Sequence, residues 1–268
     1  MSTYDRVVAR LRAAGCVFAE DEATLLLGEA RDADALEDMV ARRVAGFPLE
    51  HIVGWALFAG LRVGVDAGVF VPRRRTEYLA GVALSLARSR VASAPNGRPR
   101  VLDLCCGSGA IARAVQAGIP FAELYAADLD PAAVRNAGRT LGQPDRVFEG
   151  DLFDALPGSL RATFDVIVAN SPYVPTEALE LMPPEARLHE ARLALDGGPD
   201  GLDLQRRIAA EAPGWLAPGG SLLTEVNEAQ AGDAAAAFEA AGLSVVTTTS
   251  DEYEVTVVIG LREPVTSS

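Results

Sequence analysis

Val101-Leu102-Asp103-Leu104-Cys105-Cys106-Gly107-Ser108-Gly109-Ala110-Ile111-Ala112 is the stretch that decides the fold. It reads as an apolar strand with an acid near its end, a Gly-x-Gly turn and the start of a helix. Glycines at such a turn let the backbone bend tightly and approach a ligand closely. The next apolar run, Leu124-Tyr125-Ala126-Ala127, ends at Asp128, an acid placed to accept hydrogen bonds from ribose hydroxyls. Further on, the buried-strand pattern Phe164-Asp165-Val166-Ile167-Val168-Ala169 runs into Asn170-Ser171-Pro172-Tyr173. An amide, a rigid Pro and an aromatic ring just past a strand's C-terminal end sit where open α/β sheets bind ligands. For those four residues alone a strand-ending turn is an equal reading, because Asn, Ser and Pro form turns. Gly-x-Gly alone is also weak. The three features in this order form a strong set.

The rest of the C-terminal part fits the same frame. Strands are predicted near 100–105, 122–128, 145–149, 164–169, 220–226, 243–249 and 254–261, and helices near 108–118, 131–142, 201–213 and 229–241. Such alternation argues for a mostly parallel sheet with helices on both faces. Only Ser250-Asp251-Glu252 separates the last two strands, so they form an antiparallel hairpin. Residues 174–199 show little periodicity, and long irregular segments in compact domains often serve as lids or binding loops.

Upstream of residue 100 the pattern changes twice. Residues 3–45 are helical, with Val7, Val8, Leu11 and Leu25 to Leu27 at helical spacings; a third segment, 35–44, stops at Gly46 and Pro48. Helices with one apolar stripe each pack together as a small domain. Ala56-Leu57-Phe58 and Leu61-Arg62-Val63-Gly64-Val65 then read as two strands around Gly60, a hairpin that links the two parts. Pro72-Arg73-Arg74-Arg75-Thr76-Glu77 precedes a helix to about Ala92.

The chain has 268 residues and a formal net charge of -13. An acidic chain repels phosphate backbones, so no stable nucleic-acid binding is expected. Three cysteines and two histidines show no zinc or redox spacing, and no metal is expected. No signal pattern and no apolar run of bilayer length are present, so the chain is expected to be cytoplasmic, with no membrane partner. A monomer is the favoured state.

Several stretches together resemble one known family. They are Pro48-Leu49-Glu50-His51-Ile52, Phe70-Val71-Pro72-Arg73 with Thr76-Glu77, the Asp103 to Gly109 turn, Glu149-Gly150-Asp151-Leu152-Phe153, and Asn170 to Tyr173. The segment from His189 to Gly198, with Asp200-Gly201-Leu202, is the most specific. The chain resembles the HemK/PrmC-type protein glutamine-N5 methyltransferases, which act on the Gly-Gly-Gln motif of peptide-chain release factors. The resemblance implies an α/β fold: a seven-stranded Rossmann-like methyltransferase sheet with a small helical N-terminal domain and a linking β-hairpin. Residues 1–50 would recognise the substrate, 51–71 form the hairpin linker, and 72–268 form the S-adenosyl-L-methionine-dependent methyltransferase domain. Asp103, Gly107 and Gly109 would border the cofactor's methionine part, with Thr76 near that end, and Cys105 and Asn170 would also bind the cofactor. Asp128 would hold the ribose, and Asp151 with Leu152 the adenine. Asn170, Ser171, Pro172 and Tyr173 would form the catalytic loop, and the protein partner would be a release factor.

Three departures from the family pattern stand out. Ser171 replaces the first Pro of Asn-Pro-Pro-Tyr, although the main-chain carbonyl at that position survives. Arg74 and Arg75 replace a Pro and an acid; they read as solvated charges at a helix start or as an altered substrate entrance. Cys105 and Asn227 stand where glycines are common. Glu225, His189 and Glu190 read as buried structural hydrogen-bonding groups. The alternative readings are methylation of another protein, of adenine N6 or of a small molecule, or a non-catalytic cofactor-binding protein. Turnover separates the last from the rest.

Overall fold

The computed structural model describes residues 1–264. Three helices open the chain: α1 (Thr3–Ala13), α2 (Ala19–Glu29) and α3 (Ala33–Val44). A reciprocal cap of Ser2 and Asp5 starts α1, and the Asp32 side chain starts α3 by accepting from Ala35 N. Their apolar stripes meet in a core of Val7, Val8, Leu11, Ala23, Leu26 and Val40. Ile52 of the short α4 (Leu49–Val53) joins that core, so α4 straddles residue 50. Gly54, at φ +81°, ends α4 and turns the chain into β1 (Trp55–Phe58) and β2 (Leu61–Gly64). Phe58 pairs with Leu61, and the two residues between them, Ala59 and Gly60, both have positive φ. That is the turn geometry that matches the strand twist of a hairpin.

The large sheet follows α5 (Thr76–Arg90). In chain order come β3 (Arg100–Leu104), α6 (Ala110–Gly118), β4 (Glu123–Asp128), α7 (Pro131–Leu141), β5 (Val147–Glu149) and β6 (Phe164–Ala169). Then come α8 (Pro184–His189), α9 (Asp203–Glu211), β7 (Leu216–Val226), α10 (Ala231–Ala240), β8 (Ser244–Ser250) and β9 (Val255–Leu261). The strand order is β5-β4-β3-β6-β7-β9-β8. β9 is antiparallel to both β7 and β8, and the other pairings are parallel. Seven strands, mostly parallel, and a separate two-stranded hairpin are the architecture expected from the sequence.

Side chains alternate between two cores. Val101, Val166 and Val168 pack with α5 and α6 through Leu79, Ala83, Ile111 and Val115. Leu102, Leu104, Ile167 and Ala169 pack on the other face with Ile208, Trp215 and Phe238. A period of two with both faces apolar is the signature of a strand covered by helices on both sides. No helix among the described residues is long and apolar enough to cross a membrane.

Two strand starts differ from the predicted ones by more than one residue. β5 begins at Val147, not 145, because Pro144–Arg146 forms a 3-10 turn. β7 begins at Leu216, not 220: the strand runs through Pro218 and Gly219 across an irregular register opposite Phe164 and Val166. The segment after Tyr173 holds a 3-10 turn at Thr176–Leu181, then α8, then a second 3-10 turn at Arg192–Ala194.

Candidate active site

The chain builds the sheet outward from β3 through β4 to β5, then returns to the other side of β3 with β6. The turn after β3 and the loop after β6 are therefore neighbours at the sheet's carboxyl edge. Open α/β sheets bind ligands at this switch point. A cavity of about 270 Å³ lies there, walled by Cys105, Gly107, Asp128, Asp151, Leu152, Thr76 and Asn170 to Val174. Phe70, Arg75, Leu129, Leu195 and Arg207 complete much of the rest.

The β3 turn is shaped by its backbone. Gly109 sits at φ +77°, and a Cβ there would meet Ala137 Cβ at 3.1 Å. Glycine is thus required twice, by conformation and by the close approach of α7. Cys105 adopts φ +58°, so the position where glycine is common is left-handed and Cys105 bears the strain. Asp103 is buried beneath the turn, and its Oδ2 accepts from Ala112 N at 3.0 Å while Oδ1 has no partner among the described residues. Burial pushes its carboxyl up to about 8, helped by the nearby Asp128 charge and opposed by the Ala112 N–H. Asp103 and Gly109 do not line the cavity; they shape the turn from behind.

Asp128 stands at the tip of β4. Its Oδ2 accepts from Gly107 N at 2.8 Å and its Oδ1 from Asp130 N at 2.9 Å. Each oxygen keeps a lone pair for a further donor. Burial raises its pKa, and those amides work against the rise. Asp151 Oδ2 accepts from Arg207 at 2.8 Å on the far wall.

The loop after β6 is held from below. Thr224 Oγ1 donates to the Ala169 carbonyl at 3.0 Å, Gln205 Nε2 to the Pro172 carbonyl at 3.4 Å, and Gln230 Nε2 to the Tyr173 carbonyl at 3.0 Å. The Ser171 carbonyl and Asn170 Oδ1 accept nothing among the described residues. Asn170 Nδ2 donates to Thr76 Oγ1 at 3.2 Å, and Tyr173 Oη donates to Glu225 Oε1 at 3.0 Å. Residues 195–201 wrap behind this loop: Val174 N donates to Leu195 O and Gly197 N to Val174 O. A Cβ on Gly201, at φ +81°, would lie 2.2 Å from the Tyr173 carbonyl.

A family model described as Methyltransferase small domain matches residues 86–200. A release factor glutamine methyltransferase of Geobacter sulfurreducens is 40% identical over 232 residues, which span 85% of this chain and 78% of that protein. One from Deinococcus radiodurans is 41% identical over 208 residues, 76% of this chain and 71% of that protein. The chain belongs to the release factor glutamine methyltransferase family. Among solved structures, a T. thermophilus 16S rRNA methyltransferase in complex with AdoMet and guanosine superposes with a TM-score of 0.51 at 20% identity. It covers 78% of this chain and 50% of that one, and supports the fold alone.

Against this family background, the structure separates the two substituted arginines. Arg74 is solvated, with 76% of its side chain exposed. Arg75 is half exposed but reaches inward: its Nε lies 3.2 Å from Glu225 Oε1, a carboxylate only 1% exposed, and its guanidinium sits 5.3 Å from the Tyr173 ring centre. Glu190 accepts from Val71 N and from Arg73, tying the end of α8 to the cavity wall. Sequence reasoning missed Gln205 and Gln230, and it set Glu225 aside. An acid closing a buried strand, in Glu225-Val226-Asn227-Glu228-Ala229-Gln230, was the available signal.

Proposed function

We propose that this enzyme transfers the methyl group of S-adenosyl-L-methionine to the side-chain amide nitrogen of the glutamine in a release factor's Gly-Gly-Gln motif. The observation that carries this reading is the pair of unused acceptors, Asn170 Oδ1 and the Ser171 carbonyl, on a loop where the carbonyls of Ala169, Pro172 and Tyr173 are taken. A glutamine side chain offers two N–H donors on one nitrogen, and two fixed acceptors match them.

The cavity wall suits the cofactor. Asp128 offers free lone pairs to a ribose diol, Leu129 and Leu152 offer apolar surface to a base, and the carboxylates of Asp128 and Asp151 favour a cation. Thr76, Cys105, Gly107 and Asn170 line the same cavity, and the methionine part is assigned to them. Asp103 and Gly109 act there through the turn they shape. When bound, S-adenosyl-L-methionine supplies an electrophilic methyl group and its own leaving group.

An amide nitrogen is a poor nucleophile because its lone pair is delocalised. It carries no proton acidic enough for an ordinary base. Positioning and polarisation therefore do most of what this chain can contribute. Asn170 and Ser171 orient the nitrogen and favour its pyramidal form as the bond develops. The Tyr173 ring, fixed by Glu225 and Arg75, gives a flat surface for the amide. The helices within residues 1–50 serve as the substrate-recognition unit, 51–71 as the linker, and 72–268 as the catalytic domain. Replacing Asn170 by Ala is expected to lower kcat/KM on the order of 10- to 100-fold. Wild-type turnover in that variant would sink the reading.

A further inference from the structure

A groove of about 570 Å³ lies beside the catalytic cavity, between the start of α5, residues 182–186 and the turn that joins β8 to β9. It shares Arg73, Arg75 and Met182 with the cavity, and Pro183, Glu185, Tyr253 and Glu254 belong to it alone. Arg75 is the link to the catalytic loop, with its guanidinium 5.3 Å from the Tyr173 ring centre. Asp128, Asp151 and Leu152, the residues assigned to the cofactor's ribose and adenine, line the cavity but not the groove. The groove therefore meets the cavity at its acceptor end.

The walls suit one kind of occupant. The Tyr253 ring is stacked 6.2 Å from Tyr78 and lies 5.7 Å from the Arg74 guanidinium. Met182 and Pro183 add apolar surface, and Leu181 beside them is 86% exposed. Arg73 meets Glu190 through Nη2, and Arg75 meets Glu225 through Nε. The other guanidinium N–H groups of both have no hydrogen bond among the described residues and stay available as donors. Glu185 and Glu254 in the same lining oppose an anion such as a nucleic-acid backbone. An extended polypeptide meets all of these terms, because its main chain carries neutral carbonyl acceptors and its side chains cover apolar surface. A glutamine side chain is also short. With its amide at Asn170 and Ser171, its main chain has to run at the mouth of the cavity, where the groove begins. We infer that this groove holds the extended main chain of the release factor next to the methylated glutamine. Its carbonyls accept from Arg73 and Arg75, and one of its side chains lies against Tyr253. The inference rests on the reading of the acceptor as a release-factor glutamine. It makes the turn between β8 and β9, away from the cofactor and the reacting atoms, a determinant of acceptor affinity.

Two measurements on the full chain test this. In steady-state methyl transfer to unmethylated release factor, Tyr253→Ala should raise KM for the factor on the order of 10-fold, with kcat and KM for S-adenosyl-L-methionine within about twofold of wild type. Tyr253→Phe keeps the ring and should stay within about twofold of wild type in all three constants. The second measurement needs no turnover and does not depend on how Tyr253→Ala folds. Tyr253→p-benzoylphenylalanine, irradiated with unmethylated release factor, should crosslink to the segment that carries the Gly-Gly-Gln glutamine. A wild-type KM for the factor in Tyr253→Ala would overturn the inference, and so would crosslinks confined to release-factor segments remote from the glutamine. Equal losses in kcat and in KM for the cofactor would also overturn it, because the turn would then support the fold rather than the acceptor. A wild-type enzyme that methylates no release factor would overturn the proposed substrate and this inference with it. Methylation with an unchanged KM in Tyr253→Ala would overturn this inference alone.

Discussion

At the scale of single residues, Ser171 and Asp103 hold buried polar atoms without partners among the described residues. The Ser171 hydroxyl is buried, and no hydrogen bond reaches it among the described residues. An orphaned buried hydroxyl costs about 1–3 kcal/mol. Ser171→Ala is therefore expected to raise unfolding stability by about 1 kcal/mol in urea titrations, with turnover within about twofold, since the carbonyl it would use is retained. A destabilised variant would show that the hydroxyl has a use. Asp103 makes a pH prediction. Its carboxyl titrates near 8 in the fold against an ordinary 3.8, chiefly through burial. The folded chain thus keeps a proton that the unfolded chain releases between those values. Through this group stability falls as pH rises from about 4 to about 8. Asp103→Asn has no proton to lose, so its stability relative to wild type should improve over that interval. Parallel stability curves would contradict this. These residues were legible as a candidate site because they lie in short motifs at strand ends. What was not legible is that Asp103 and Gly109 stand behind the wall, since facing is a property of the turn and not of its letters. Nor could sequence show that Arg75 folds back onto Glu225, because the two are brought together only by sheet order.

At the scale of elements, the loop after β6 and the segment from Leu195 to Gly201 act as one object. The two are laced by main-chain hydrogen bonds and a parallel bridge between Val174 and Asp196. Gly201 permits the contact, because any side chain there would strike the Tyr173 carbonyl and Gln230. Gly201→Ala adds left-handed strain of about 1–2 kcal/mol and displaces the catalytic loop. It is expected to lower kcat on the order of 10- to 100-fold while leaving the Asp128 end of the cavity, and hence cofactor affinity measured by calorimetry, near wild type. Equal losses in both would mean that the segment supports the whole domain. The sequence pattern marked residues 174–199 as a candidate lid but not its purpose. The end of that segment backs Tyr173 through main-chain contacts, which carry no hydrophobic period. The strand and helix order was legible for the opposite reason: β3 and β6 are apolar on both faces and the helices show one stripe each.

At the scale of the molecule, buried charge connects the N-terminal helices to the cavity. Arg43 on α3 donates to Glu22 of α2 at 2.6 Å and to Glu185 of α8 at 2.5 Å. α8 ends at Glu190, which grips Arg73 and Val71 beside the cavity. A path of ion pairs thus runs from the proposed recognition helices to the catalytic domain. The most direct measurement of the whole account is transfer of tritiated methyl from S-adenosyl-L-methionine to an unmethylated release factor, beside the same factor with its Gly-Gly-Gln glutamine replaced by Ala. The account predicts label on the first protein and none on the second. Label on both, or on neither while an unrelated protein or nucleic acid is labelled, would contradict it.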